Sequence, residues 1–233
     1  MSARTADTGL RIDWVDRKAA CWACEHWHYS RRAPHPRAAN IGVWENGSFR
    51  GVVIFNGGAT PNIAKPFGLE RSEVVELIRV ALAPHAAPVS RILAIATRMM
   101  VRRYRRLQLM VSFADTSQGH HGGIYQAAGW TYVGSTCTHD LVVNGKVTHP
   151  RTLGSKYGRG GQSLPWLRKH VDPNASRRRR PAKHEYVLPL SDAMRTMVAT
   201  LKKPYPKRAG SIAGDATANQ AEKGGSIPTS ALS

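Results

Sequence analysis

The chain has 233 residues and carries 34 Lys and Arg against 15 Asp and Glu, a formal net charge of +19. Apolar residues make up 42% and charged residues 21%, which suits a globular protein of one domain with or without appendages. No apolar run approaches the ~18 residues of a membrane span, so no membrane partner is expected. Arg4, Asp7, Arg11, Asp13 and Asp16 interrupt the start of the chain, against a secretory signal. Three Cys cannot close a disulfide framework, so the reducing cytoplasm is the expected compartment.

Residues 1–10 read as a disordered start. Apolar positions Ile12, Val15, Ala19, Ala20, Ala23 and Trp27 recur at helical spacing and predict a helix from Ile12 to Trp27. Pro34 and Pro36 follow and bar its continuation. Ile41–Trp44 and Phe49–Phe55 flank Asn46-Gly47, a strong hairpin signal. Gly57, Gly58, Pro61 and Pro66 mark a loop, and Val74–Leu82 a strand. Ser90 is the expected cap of a helix over 91–104, whose end is charged by Arg102, Arg103, Arg105 and Arg106. A buried-type strand over Leu107–Ala114 leads to a short helix at Ile124–Ala128 closed by Gly129. Trp130–Val133 and His139–Val143 read as strands, with a turn at Asn144-Gly145. Residues 150–165 are Gly-rich and basic. A strand at Tyr186–Leu190 and a helix at Ala193–Leu201 complete the folded part, and residues 209–233 read as a disordered tail. The order predicts an α/β fold: a mixed central sheet flanked by helices, with a basic C-terminal extension.

The charge is uneven. Residues 151–208 hold 15 Lys and Arg against three acids, while the tail 209–233 is near neutral. Arg177, Arg178, Arg179 and Arg180, with Lys183, Lys156 and Arg159, are the candidate contacts to DNA phosphates, and double-stranded DNA is the expected partner. A run this exposed is expected to be mobile and to suit phosphates better than base edges. The alternative is a solvated basic surface.

Asp115 ends a buried strand before a Gly-rich loop, where α/β proteins place reactive groups. It is a candidate proton acceptor or base-orienting group, or else a cap. Tyr125 is a candidate general acid, or a packing residue. Arg79 lies in an apolar strand, where a charge needs a partner. It would bind a carboxylate or phosphate, or pair with Glu76 or Asp115. Gly119-His120-His121-Gly122-Gly123 offers free amides, a tight turn and imidazoles, suited to a phosphate or an extruded base. Ser90, Arg91 and Ser112 are further cofactor-binding candidates by position. Cys21 and Cys24 have the spacing of half a zinc site, with Cys137 and His139 as a second half, but their place in a predicted helix favours packing. Tyr157–Gly161 lacks the Gly-Lys-Ser/Thr of a phosphate loop.

The stretch Glu76–Leu82, a helix, a strand and then Tyr125-Gln-Ala-Ala-Gly129-Trp130 resembles the core of the GNAT acyltransferase superfamily. That superfamily binds the diphosphate of its acyl-CoA on a Gly-rich loop. Here the equivalent segment, Pro84–Arg91, has no Gly and two Pro, which argues against acetyl-CoA bound in the usual way. Glu25-His26-Trp27-His28-Tyr29-Ser30, Ile41–Gly47, Gly51–Phe55, Glu76–Val80, Pro88–Arg91, Phe113–Asp115 and Gln118–Gln126 together resemble the Mom family of bacteriophage DNA-modification proteins. The resemblance spans about residues 13–190. It implies a GNAT-like catalytic core over 11–150, followed by a basic DNA-contacting region over 151–208 that supplies a late strand and helix. It implies conversion of adenine in DNA to the N6-carbamoylmethyl form, protecting the DNA from host restriction, with an unidentified group donor. It places His28 and Tyr29 in the active site, where they would be ligands to iron, a metal associated with the family. The rival readings are an acyl-CoA-dependent acetyltransferase and a non-enzymatic basic DNA-binding protein.

Overall fold

The computed structural model describes residues 9–32, 36–57, 62–136 and 139–207. Pro34, Gly58, Pro61, Cys137, most of the expected disordered start and the whole C-terminal tail lie outside the described residues. The expected first helix divides in two: strand β1 (Leu10–Trp14) and helix α1 (Arg17–Trp27). Asp16 makes the division, because its carboxylate accepts the Ala19 N–H at 2.8 Å and starts the helix there.

Strands β2 (Ala39–Glu45) and β3 (Ser48–Asn56) form the expected hairpin. Asn46 and Gly47 turn it at φ 50° and 77°, the left-handed pair of a type I′ turn. Strand β4 (Val74–Leu82) coincides with its prediction. Helix α2 (Val89–Arg103) begins two residues earlier than a Ser90 cap would set it, because Arg91 and Ile92 donate back to the Pro88 carbonyl. Ser90 therefore lies inside the first turn. Strand β5 (Leu109–Asp115), the short helix α3 (Gly123–Ala127) and strand β6 (Thr131–Thr136) follow.

The next stretch departs most from expectation. Strands β7 (His139–Val143) and β8 (Lys146–Thr148) make a second hairpin. Residues 150–165, read in the sequence only as Gly-rich and basic, carry helix α4 (Pro150–Tyr157) and begin helix α5 (Leu164–His170). His149 caps the Arg151 N–H and Ser163 the Trp166 N–H, each with a proline in the first turn. The arginine run, expected to be mobile, is strand β9 (Ser176–Arg179), held by pairing with β7. Strand β10 (Lys183–Pro189) and helix α6 (Asp192–Leu201) complete the described chain.

Two sheets result. The large one has seven strands in the order β1-β2-β3-β4-β5-β10-β6, antiparallel except for the parallel pair β4 and β5. The smaller is β8-β7-β9. The large sheet is the mixed sheet with flanking helices that the sequence implied. One face packs with α2 and α3 around Phe55, Leu77, Ile92, Met110, Trp130 and Tyr186. The other packs with α1 around Val52, Ile54 and Ala81, and with α6 around Val111 and Val187. The small sheet, α4 and α5 have their own core of Leu141, Val143, Leu153, Leu167 and Ala175. This unit lies between β6 and β10 in the chain, and position 150 falls inside it. Residues 139–182 carry ten Lys and Arg against two acids.

Candidate functional site

The parallel pair creates the site. β4 and β5 are in register only from Val74–Leu109 to Leu77–Ser112. Beyond that rung β4 continues beside β3 and β5 continues beside β10, so the sheet opens. The Ser112 hydroxyl donates to the Leu77 carbonyl at 2.7 Å on the last rung. Ser112 is fully buried and serves as a strut at the fork.

A cavity of about 670 Å³ fills the fork. Its wall draws on both faces of the sheet: Trp27, His28 and Tyr29 after α1, Arg79 and Val80 on β4, His85 and Val89 before and in α2, and Gly119–Tyr125 after β5. The structure thus brings together His28, Tyr29, Arg79, Gly119, His120, His121 and Tyr125. Ser90 and Arg91 lie outside it, in the first turn of α2.

His28 is buried, and burial with Arg79 and His120 nearby lowers its pKa to about 4, so it is neutral at physiological pH. Its Nδ1 accepts the Ser30 N–H at 3.2 Å and lies 2.8 Å from the Ser30 hydroxyl, which leaves the ring proton on Nε2. The Tyr29 ring stands between two imidazoles, 4.2 Å from His28 and 5.2 Å from His120, and is half exposed at the cavity mouth. Burial and the charge of Asp115 raise its phenol pKa.

Arg79 donates to the Ile78 carbonyl at 2.9 Å. Asp115 is paired with Lys183 instead, and the Arg79 Nε is buried without a hydrogen-bond partner among the described residues. A cation held in this way awaits an anion. Tyr125 is buried against Trp130 and Tyr186, and burial pushes its phenol up to about 12, opposed by a hydrogen bond with Ser112. It stays protonated. The preceding loop is pinned from behind: Tyr186 donates to the His121 carbonyl at 2.5 Å, and Gln126 donates to Tyr186 at 3.0 Å. Gly122 turns at φ 84°, and a Cβ there would overlap the Tyr186 ring, so only glycine fits.

Asp115 stands at the edge of the site, engaged elsewhere. It accepts the Ser117 N–H and hydroxyl at 3.0 and 2.6 Å and pairs with Lys183 at 3.5 Å. Burial would raise its pKa, but these partners outweigh burial and hold it low. The geometry matches the capping role for Asp115, and gives Lys183 an acid partner as well as its place near the basic unit.

Sequence reasoning did not single out Glu45. Its carboxylate, buried behind the loop before α2, accepts the Ala86 N–H at 2.9 Å and the Ala87 N–H at 2.6 Å. The Ala86 N–H is the chief cause of its lowered pKa, burial opposes, and Ala87 adds. An acid at the last position of a hairpin strand is the only sequence signal it leaves.

The residues implied for iron do not fit it as arranged. The Nδ1 of His28 is taken by Ser30 and the proton sits on Nε2, the nitrogen a metal would need. Tyr29 is held further from its phenolate. No group of three or more His, Cys, Asp or Glu converges on a metal position among the described residues. Cys21 and Cys24 lie on α1, and Cys24 is buried with a thiol pushed up to about 11. Among the described residues no helix is long and apolar enough to cross a membrane.

Of the candidate DNA contacts, Arg177, Arg178 and Arg179 are exposed on β9, and Arg159 and Lys156 are exposed beside α4. Lys156 stands 4.9 Å over the Tyr157 ring. Arg180 pairs with Asp140 at 3.5 Å. The basic unit and the cavity share one end of the large sheet, since Lys183 pairs with Asp115 at the end of β5.

A mixed sheet forked around a cavity, with a guanidinium, a neutral imidazole and a protonated phenol on its wall, is an α/β architecture with a candidate active site. The chain belongs to the Mom protein family, which it matches over residues 9–207. It is 28% identical over 171 residues to the methylcarbamoylase mom of Escherichia phage Mu, covering 70% of this chain and 69% of that one. Among solved structures it is similar to yncA of Salmonella typhimurium, solved with its cofactor acetyl-CoA, at 14% identity and a TM-score of 0.44, covering 79% of this chain and 95% of that one. It is also similar to the polyamine N-acetyltransferase of Drosophila melanogaster, at 9% identity and a TM-score of 0.43, covering 78% and 100%.

Proposed function

We propose that this chain transfers a carbamoylmethyl group to the N6 of adenine in double-stranded DNA. The observation that carries the reading is Arg79, whose buried Nε has no hydrogen-bond partner among the described residues, on the wall of a cavity lined from both faces of the sheet. Family membership and the phage relative named a methylcarbamoylase support transfer of a carbamoylmethyl group. N6 of a stacked base is poorly accessible, so the adenine would leave the duplex and enter the cavity beside Tyr29. The basic unit at the same end of the sheet would hold the flanking phosphates.

The reaction forms one C–N bond at N6, releases one N6 proton and breaks the bond between the donor's carbon and its leaving group. Tyr125, held protonated, is placed to give that leaving group a proton. His120 is the cavity imidazole placed to take the N6 proton. His28, with its proton on Nε2, is a donor and orients the base or the group donor. Arg79 would bind an anionic group of that molecule.

Glu45 bears on the donor's identity. Its carboxylate already takes the two amides of the loop before α2. A coenzyme A diphosphate at this loop would find the Ala86 and Ala87 amides already taken by an anion. We therefore read the donor as a small anionic molecule anchored by Arg79 rather than an acyl-CoA anchored at α2.

The test is mass analysis of nucleosides from plasmid DNA of cells expressing the chain. The expected result is an adenosine heavier by one carbamoylmethyl group and resistance to restriction enzymes that cut at adenine-containing sites. Unchanged nucleosides with well-expressed, folded protein would refute the reading. A modified nucleoside formed in vitro only with acetyl-CoA would favour the acetyltransferase alternative.

A further inference from the structure

The end of the large sheet away from the cavity carries a second charge concentration. Strand β5 runs from Leu109 at that end to Asp115 at the fork. Helix α2 runs the same length in reverse, with Val89 on the cavity wall and its last turn at the far end. Its 15 residues span ~22 Å at 1.5 Å per residue. Between Ala83 and Ala114 the chain has no acidic residue. Five arginines, Arg98, Arg102, Arg103, Arg105 and Arg106, fall within nine residues there, and all are exposed. None forms a salt bridge among the described residues.

Helix capping does not account for them. Arg102 and Arg103 complement the negative end of the helix dipole. Arg105 and Arg106 lie beyond the helix and repel the first two. Aromatic rings stand among them: Tyr104 is 43% exposed, and Trp14, 37% exposed, lies 5.2 Å beneath the Arg103 guanidinium. Of the acids toward this end, Asp13 pairs with Arg11, Asp192 pairs with Arg195, and Glu70 and Glu73 accept backbone N–H groups in a capping box. Guanidinium groups with an exposed aromatic ring between them suit phosphates and a stacked base or sugar.

We propose that this surface binds the phosphate backbone of a second DNA segment, so that one molecule bridges two stretches of duplex. A straight duplex lying across the cavity end, with one base in the fork, runs past the opposite end of the sheet without reaching it. The two contacts therefore belong to different segments. The inference rests on the reading of the chain as a DNA-binding protein, and not on the adenine chemistry.

The test uses the full chain, a biotinylated duplex on beads and a fluorescent duplex of unrelated sequence. Wild-type protein is expected to retain the fluorescent duplex on the beads. A variant with Arg102→Gln, Arg103→Gln, Arg105→Gln and Arg106→Gln is expected to lose at least tenfold of that retention. The variant should keep its affinity for one duplex within about twofold, its melting temperature, its scattering mass and its modification activity. Bridging by the variant equal to wild type would overturn the proposal. So would wild-type protein that binds one duplex without bridging, and in that case the DNA-binding reading stands. Wild-type protein that binds no duplex overturns both. Anionic vesicles or polyglutamate retained on the beads in place of the second duplex, and lost in the same variant, would overturn DNA as the partner.

Discussion

The carboxylate of Glu45 accepts the backbone N–H of Ala87 at 2.6 Å across 42 residues of chain. The end of the first hairpin is thereby tied to the loop that opens α2. The same carboxylate accepts from Ala86, so the loop presents fewer free donors to the cavity side. Buried charge-assisted bonds of this kind leave costly orphans when one partner is removed.

Glu45→Gln is therefore expected to destabilise the protein by ~1–3 kcal/mol at neutral pH. The folded pKa of Glu45 lies below its unfolded value. Its contribution is present above the unfolded pKa and fades as the pH falls through the folded one. Urea midpoints of wild type and variant should converge in acid. A gap that persists unchanged at low pH would show that shape, and not charge, holds the loop.

The buried neutral His28 has the opposite origin but the same direction with pH. Its pKa is about 4 folded against 6.5 as the ordinary value. Between those limits the unfolded chain binds the extra proton, so stability rises with pH there and falls as acid is added. His28→Gln should flatten that slope by up to ~1.4 kcal/mol per pH unit. Identical slopes in both proteins would mean His28 is charged in the fold.

Tyr125→Phe removes one oxygen from a fully packed ring. The expected loss in kcat is about 10²–10⁴-fold, with the melting temperature nearly unchanged. Full activity would assign Tyr125 to packing alone.

Arg79→Gln should raise the KM for the group donor by about 10- to 100-fold, the ~1.5–3 kcal/mol of a charge-assisted hydrogen bond. Affinity for DNA should hold. A loss confined to DNA binding would place the phosphate, and not the donor, at Arg79.

Arg177→Gln, Arg178→Gln and Arg179→Gln together should weaken binding to any duplex by a similar factor. The log–log salt slope should flatten by ~0.9 for each phosphate that is no longer neutralised. An unchanged slope would leave β9 as a solvated edge and move attention to Lys156 and Arg159.

The hairpin at Asn46-Gly47 and strand β4 were legible because turn chemistry and apolar alternation are local signals. The cavity residues His28, Tyr29, Arg79, His120, His121 and Tyr125 were legible as types in motifs, but their convergence depends on where β4 and β5 part. That fork follows from pairing between strands distant in the chain, and no local pattern records it. Ser112 looked like a ligand group by position and proved to be a strut, because a hydroxyl facing the fork met the Leu77 carbonyl first. The helices over 150–170 were missed because Gly and Arg dominate the composition there. Their starts are set by side-chain caps from His149 and Ser163, and their burial by Leu153 and Leu167.

The basic unit leaves and rejoins the large sheet at Thr136 and Lys183, which are partners across one rung of β6 and β10. A tight turn between those two positions would close the hairpin without disturbing any other pairing. The unit is therefore detachable in the manner of a tool head on a handle. On the proposed function, exchanging the unit would change which stretch of DNA is gripped while the fork stays as it is.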